Sequence, residues 1–355
     1  MRVEYLPVAV QTLYADLVER AWRGDLAELT AAGGHAYARE VKGRQYWYWR
    51  PATQHGTRPS ARYIGPDTDV TRTRLAELRE AAHSLRERRS MVSALRAARL
   101  PAPDPLSGRI LEALAKAGVF RLRTVLVGSV AFQSYAGLLG VRIPATLSRT
   151  SDVDIAQFHA LSLGVEDRID RDLEAVLKGV DQRFESVMDP TDSRRVLRYA
   201  LRAGNEELFA LDVLSPLRGP ERGRLTRLPA LRSDAQLLRF LDYLLYQEIN
   251  AAALYGPGIP INVPDPARYA LHKLIVAQLR TTTARSQAKA RKDLEQAAAL
   301  IGILAQLRPD ELRDAWQELS DRGASWREKA DRSLQLLPEA RAVIEGAGAG
   351  HAPAT

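Results

Sequence analysis

Three acidic residues in two apolar segments give this 355-residue chain its strongest chemical signature. Asp152 and Asp154 stand two apart in Ser151-Asp152-Val153-Asp154-Ile155, and Asp212 stands alone in Leu211-Asp212-Val213. Side chains two apart on a strand point to one face, so the first pair shares a face and an acid from a later strand can join it. Three gathered carboxylates repel one another. A divalent cation removes that cost, and hard oxygen ligands suit Mg²⁺ or Mn²⁺. Upstream, Val127-Gly128-Ser129 reads as a strand end entering a helix, where backbone N–H groups and a hydroxyl can receive phosphate. Together these parts describe metal-dependent phosphoryl or nucleotidyl transfer.

Elements of the right kind surround these residues. A helix is expected over 106–118, a strand over 123–127, a helix over 131–139 ended by Gly140, and a strand over 152–156. A helix over 166–180 and strands over 183–188, 196–201 and 208–214 follow. That order suggests a small mixed sheet with helices on one side. After Pro216 the chain reads as irregular, and 237–254 fits a helix or a strand pair equally well. Pro264-Asp265-Pro266 opens a helix to Leu279, and further helices are expected over 286–304, 309–320 and 325–344. Residues 346–355, rich in Gly and Ala, read as a disordered tail.

The first hundred residues read differently. One or two helices over 1–31 end at Gly33-Gly34, and the period then changes to that of strands over 37–41, 45–50 and 60–64, with Lys42-Gly43-Arg44 as a turn. A helix from Thr71 to Leu100 follows, and Pro101, Pro103 and Pro105 mark a linker. The expected domains are therefore a basic extension (1–100), a catalytic core (106–218), a mostly helical C-terminal part (219–345) and the tail.

The formal charge of +8 is not spread evenly: 35–99 alone carries fourteen Lys/Arg against six Asp/Glu, and the remainder is balanced. Such a local excess points to a polyanionic partner. The absence of cysteine excludes disulfides and thiolate metal sites. No apolar run is long enough to span a membrane and no signal peptide is evident, so a cytoplasmic protein without membrane attachment is expected.

The ordered set of Gly128-Ser129, a helix, Asp152-Val153-Asp154 and Asp212 resembles the nucleotidyltransferase superfamily that includes DNA polymerase beta, CCA-adding enzymes and aminoglycoside nucleotidyltransferases. Val127 to Tyr135 and Pro264 to Leu274 look like the corresponding segments of its bacterial "nucleotidyltransferase-like" branch. The resemblance covers roughly residues 106–304. It implies an α+β fold: a small mixed-sheet core, a C-terminal helical domain, and here an N-terminal extension of helix and small antiparallel sheet. It also implies that Asp152 and Asp154 bind two divalent ions, and that Asp212 completes one metal site and helps deprotonate an acceptor hydroxyl. Gly128, Ser129 and Ser151 would contact the triphosphate of an NTP such as ATP. One departure stands out: Ser129 and Asp152 are twenty-three residues apart, so Gly140 to Arg149 must loop near the site.

Lys273, Arg280, Lys289 and Lys292 are candidates to line the same cleft, with Asp293 orienting Lys273 or Lys289; the competing reading is a solvated basic helix face. His272 reads as a packed or surface histidine. Tyr46, Trp47, Tyr48 and Trp49 place two rings on each side of a strand. One pair is suited to the long helix. The other, beside Arg44, Arg50, Arg58 and Arg62, is suited to stacking bases, unless the rings merely form a small aromatic core. The leading reading is an enzyme moving a nucleoside monophosphate from NTP to an acceptor hydroxyl with release of pyrophosphate. RNA, including tRNA, is the favoured acceptor through residues 36–99, with a toxin-like role by family analogy. A protein or an antibiotic-like small molecule is the alternative acceptor. A non-catalytic nucleic-acid-binding protein on the same scaffold is the competing class, and a phosphohydrolase fits less well for want of His ligands.

Overall fold

The computed structural model describes residues 3–53, 60–148, 152–164, 167–204, 206–220 and 223–349. The candidate residues Ser151 and Arg58 lie outside the described residues, as does the tail from 350 onward.

Helices α1 (Val8–Trp22) and α2 (Leu26–Ala31) precede strands β1 (Gly34–Val41), β2 (Arg44–Pro51) and β3 (Arg62–Pro66). The long α3 (Asp69–Ala97) leads to α4 (Pro105–Lys116), β4 (Val125–Val127), α5 (Gly128–Phe132), α6 (Tyr135–Leu139) and β5 (Asp152–Ala156). Next come α7 (His159–Gly164), α8 (Leu173–Lys178), β6 (Phe184–Asp189), β7 (Asp192–Ala203), β8 (Glu206–Pro216), β9 (Leu225–Leu228) and β10 (Ser233–Leu238). A short α9 (Leu241–Leu244), β11 (Ile249–Ala253) and β12 (Ile259–Val263) precede α10 (Pro266–Leu279), α11 (Ala284–Leu307), α12 (Pro309–Asp321), α13 (Ala324–Gln335) and α14 (Pro338–Ala349).

Local chemistry sets these boundaries. The Asp104 and Asp265 carboxylates accept the first free N–H groups of α4 and α10, each followed by a proline at the first helical position. Gly140, in the left-handed region, ends α6. Four expectations change. The helix expected over 131–139 is two short pieces separated at Gln133-Ser134. The helix expected over 166–180 shrinks to α8, because Asp172 caps it by accepting from Ala175 N. The last expected helix is divided, with Pro338 starting a new one. After Pro216, where irregular chain is expected, β9 and β10 form, and 237–254, expected as a helix or a strand pair, holds the short α9 and one strand, β11, which pairs with β12.

Those strands enlarge the central sheet to nine, with path order β11-β12-β4-β5-β8-β10-β9. β5 runs parallel to β8 and antiparallel to β4. The far edge of β8 forks: β7 pairs with its first half and β10 with its last residues. α10 is buried around most of its circumference, among α9, α11, α12 and α13.

The N-terminal sheet is separate, antiparallel and ordered β1-β2-β3. Its tryptophan face meets α3: Trp49 is buried, Trp47 Nε1 donates to Asp67 at 3.0 Å, and the Arg79 guanidinium lies 5.3 Å from the Trp47 ring. α3 is tied to the core by the buried Arg88, which donates to the carbonyls of Pro257 (2.8 Å) and Gly258 (2.6 Å). Among the described residues no helix is long and apolar enough to cross a membrane.

Candidate active site

β5 and β8 bring the acids together. Asp154 and Asp212 are direct partners in the parallel register, and Asp152, two residues earlier, faces the same way. The intervening Val153 and Ile155 are fully buried on the opposite face, which fixes the orientation of the three carboxylates. On the other side of β5, Val127 pairs with Asp154, and the chain then turns at Gly128 with φ +70°. A Cβ at Gly128 would run into the Asp154 carboxylate, so glycine is required both for the turn and for the close approach. Ser129, half-buried, follows at the start of α5.

Each carboxylate has a different environment. Lys289 of α11 reaches Asp152 Oδ2 at 2.8 Å. Asp212 sits at the fork in the sheet and is gripped from both branches. Arg198 of β7 donates to both its oxygens (3.0 and 2.8 Å), and Gln236 of β10 donates to Oδ1 at 3.1 Å. Asp154 alone of the three makes no side-chain hydrogen bond or ion pair among the described residues. Burial and the charges of Asp152 and Asp212 push its pKa up to about 7, against the pull of Lys273 and Lys289. Burial also raises Asp212, but Arg198 opposes the rise.

The four candidate cations divide. Lys273 is buried: its Nζ lies 2.6 Å from Asp293 and 5.2 Å from the Tyr269 ring centroid. Burial would lower its pKa, but Tyr269 and Asp293 outweigh burial and raise it. Arg280 joins the same Asp293 carboxylate at 3.0 and 2.9 Å. Burial would raise Asp293, but Lys273 and Arg280 hold it below the usual carboxylate range. Lys289 is the bridge to Asp152. Lys292 is half-buried, its pKa lowered by burial and by Lys273. Two of these cations, Lys273 and Arg280, are thus held by Asp293 and one, Lys289, by Asp152, while Arg280, Lys289 and Lys292 remain partly exposed. His272 is packed in the interior, and burial lowers its pKa to about 3, so it is neutral.

Sequence reasoning missed Arg198, Gln236, Tyr269 and Gln296. The Tyr269 hydroxyl lies 2.9 Å from the Gly128 carbonyl and 3.0 Å from Gln296 Oε1, and Gln296 Nε2 donates to the Leu147 carbonyl at 2.6 Å. This buried chain of contacts ties the Gly128 turn and the long loop before Asp152 to α10 and α11. Arg198, one of four arginines in β7, carried no signal that set it apart. The glutamines gave none.

Divalent ions suit this donor set chemically: three hard carboxylates on one face, one of them, Asp154, with no hydrogen bond or ion pair among the described residues. Among the described residues, however, no group of three His, Cys, Asp or Glu side chains is drawn together closely enough to hold a metal ion. Lys289 and Arg198 hold Asp152 and Asp212 instead.

A family model described as nucleotidyltransferase matches residues 106–321. Among curated proteins none matches the chain. A solved structure to which it is similar is an antigenic nucleotidyltransferase-like protein from Paracoccidioides brasiliensis. That protein is 12% identical, with 65% of this chain and 94% of that one covered and a TM-score of 0.30.

Proposed function

We infer that this chain, which belongs to the nucleotidyltransferase family, performs nucleotidyl transfer with Asp152, Asp154 and Asp212 as its catalytic acids, NTP as donor and RNA as acceptor. The observation that carries the reading is the contact of Lys289 with Asp152, which sets the basic side of α10 and α11 against the three-acid face of the sheet. Acids for cation chemistry and cations for phosphate thus share one cleft.

The acceptor hydroxyl attacks the α-phosphorus, its oxygen forms the new P–O bond, the α–β bridging bond breaks and pyrophosphate leaves. Asp212, fixed by Arg198 and Gln236, takes the hydroxyl proton. Lys289 and Lys292 take charge on the β- and γ-phosphates, and Lys273 and Arg280 add positive potential from behind. The backbone of Gly128 and Ser129 positions the phosphate chain beside Asp154. A divalent ion held by Asp152, Asp154 and Asp212 would supply neutralisation of phosphate charge. Support for RNA is the net charge of the segment 35–99, where basic residues outnumber acidic ones fourteen to six.

The test is transfer of label from each α-³²P NTP, with Mg²⁺ or Mn²⁺, into total RNA, total protein and a small-molecule extract, with Asp152→Ala/Asp154→Ala as control. Label in RNA that the double variant abolishes is the expected result. Label confined to protein or small molecules would replace RNA as the acceptor. Label nowhere, from folded protein, would overturn the catalytic reading in favour of a binding role.

A further inference from the structure

The outer face of the N-terminal sheet carries a second constellation that the transfer site does not use. Register places Tyr37 directly across from Tyr48, and Tyr48 across from Tyr63, so all three rings share the face opposite Trp47 and Trp49. They form a continuous run with Tyr46. Tyr37 and Tyr48 are stacked at 5.6 Å with an interplanar angle of 18°, Tyr48 and Tyr63 lie 5.5 Å apart, and Tyr46 and Tyr63 lie 6.3 Å apart. α3 covers the tryptophan side; on this side Tyr63 is 55% exposed at the edge and Tyr37, Tyr46 and Tyr48 are half-buried.

Three arginines frame the rings. Arg39 stands across from Tyr46, Arg44 across from Val41, and Arg50 across from His35 with its guanidinium 5.0 Å from the Tyr37 ring. Arg62, expected in this group, pairs with Trp49 and so belongs to the other face. Among the described residues none of the three framing arginines is in an ion pair with a carboxylate, and none of the four phenol hydroxyls is hydrogen-bonded to protein. Neighbouring arginines do pair: Arg72 with Asp67, and Arg20 with Asp16 and Glu87. An aromatic cluster serving only as packing would be covered, and its arginines would gain nothing by standing unpaired.

We propose that this face is a stacking platform for single-stranded RNA. Bases lie on the tyrosine run, and Arg39, Arg44 and Arg50 take the phosphates. The free phenol hydroxyls meet ribose 2′-hydroxyls, which DNA lacks. The choice of RNA rests on the proposed acceptor; stacking itself does not depend on transfer.

Binding is measured by fluorescence anisotropy on the full chain carrying Asp152→Ala/Asp154→Ala, without NTP and in EDTA, so that chemistry cannot contribute. The probes are an unstructured oligoribonucleotide of about twelve nucleotides, its DNA counterpart and an RNA duplex. Arg39→Gln/Arg44→Gln/Arg50→Gln should reduce the slope of log affinity against log salt by about 2, since each single-strand phosphate contact contributes about 0.7. Tyr37→Ala/Tyr63→Ala should weaken binding about tenfold or more, while Phe at both positions keeps the stacking and the affinity for the DNA counterpart but loses part of the preference for RNA over DNA. An unchanged salt slope and affinity in the arginine variant, or DNA or duplex binding as tight as single-stranded RNA, would overturn the proposal. Tyrosine-dependent RNA binding with label that never enters RNA would sink the RNA-acceptor reading and leave this surface standing. Labelled RNA without binding here would do the reverse.

Discussion

Asp154→Asn replaces the one carboxylate of the three that, among the described residues, no cation or amide holds, and the substitution should stabilise the protein while abolishing transfer. The Asp154 pKa rises from 3.8 to about 7 on folding, through burial and repulsion by Asp152 and Asp212. A carboxyl raised in this way contributes most to stability while it is protonated in both states, below its unfolded value. As pH climbs from about 4 to about 7 the unfolded chain gives up the proton and the folded chain keeps it, so stability falls and then levels off. A shift of about three units corresponds to about 4 kcal/mol, shared among the three acids because their titrations are linked. Asparagine has nearly the same shape and no charge, so it still fits under Gly128.

The measurement is urea or thermal unfolding of both proteins in EDTA from pH 5 to 8.5. Other titrating groups cancel in the difference. That difference should grow from under about 2 kcal/mol near pH 5 to about 4 kcal/mol above pH 7.5. At roughly 2–4 °C per kcal/mol the variant then melts about 10 °C higher at alkaline pH. Mg²⁺ should narrow the gap by stabilising only the protein with its full acid set. A difference that is flat with pH, or a variant less stable at pH 8, would refute the argument that uncompensated charge is stored at Asp154.

Three further outcomes are expected. Asp293→Ala leaves the buried Lys273 and the half-buried Arg280 without their shared counter-charge and should cost about 3–5 kcal/mol in urea unfolding, far more than an exposed ion pair. Arg88→Met strips the donors from the Pro257 and Gly258 carbonyls and should cost about 2–4 kcal/mol, with hydrogen exchange accelerated first along α3. Gly128→Ala drives a methyl group into Asp154 from a backbone with φ +70°, and steady-state transfer should fall by about a hundredfold or more through misplacement of that carboxylate.

What the sequence disclosed follows from what is local. The alternation that makes Val153 and Ile155 buried also aims Asp152 and Asp154 at one face, so β5 and its orientation were readable from five residues. The opening of α10 was equally readable, because Asp265 and Pro266 act on the backbone next to them. The fork at β8 was not. It depends on β10, a six-residue strand reached through a Pro- and Gly-rich stretch whose apolar residues show no clean period, and pairing across such a stretch is a tertiary choice. Without the fork, Gln236 had no reason to meet Asp212, and Arg198 was one of several arginines in β7 with no indicated partner. The basic residues of α10 and α11 had the same ambiguity: spacing could place them on a face but not say whether solvent or Asp293 lay opposite.

The two regions differ most in how they treat positive charge. Around the acids, cations are matched: Lys289 to Asp152, Arg198 to Asp212, and Lys273 with Arg280 to Asp293. Matching keeps an unliganded cleft from collapsing or repelling itself, since a buried charge is tolerable only with its partner. It also means that a triphosphate cannot claim Lys289 unless Asp152 finds another cation, and a divalent cation cannot claim Asp152 unless Lys289 finds another anion. On the proposed reading, nucleotide and metal would supply each other's replacement, so the site would accept the pair more readily than either alone. The outer sheet has no such matching. Among the described residues Arg39, Arg44 and Arg50 stand without a carboxylate partner, at little cost because solvent screens them, and they can meet a polyanion without first breaking an ion pair. One region is arranged to bind only a balanced set of charges, and the other to attract negative charge from the start.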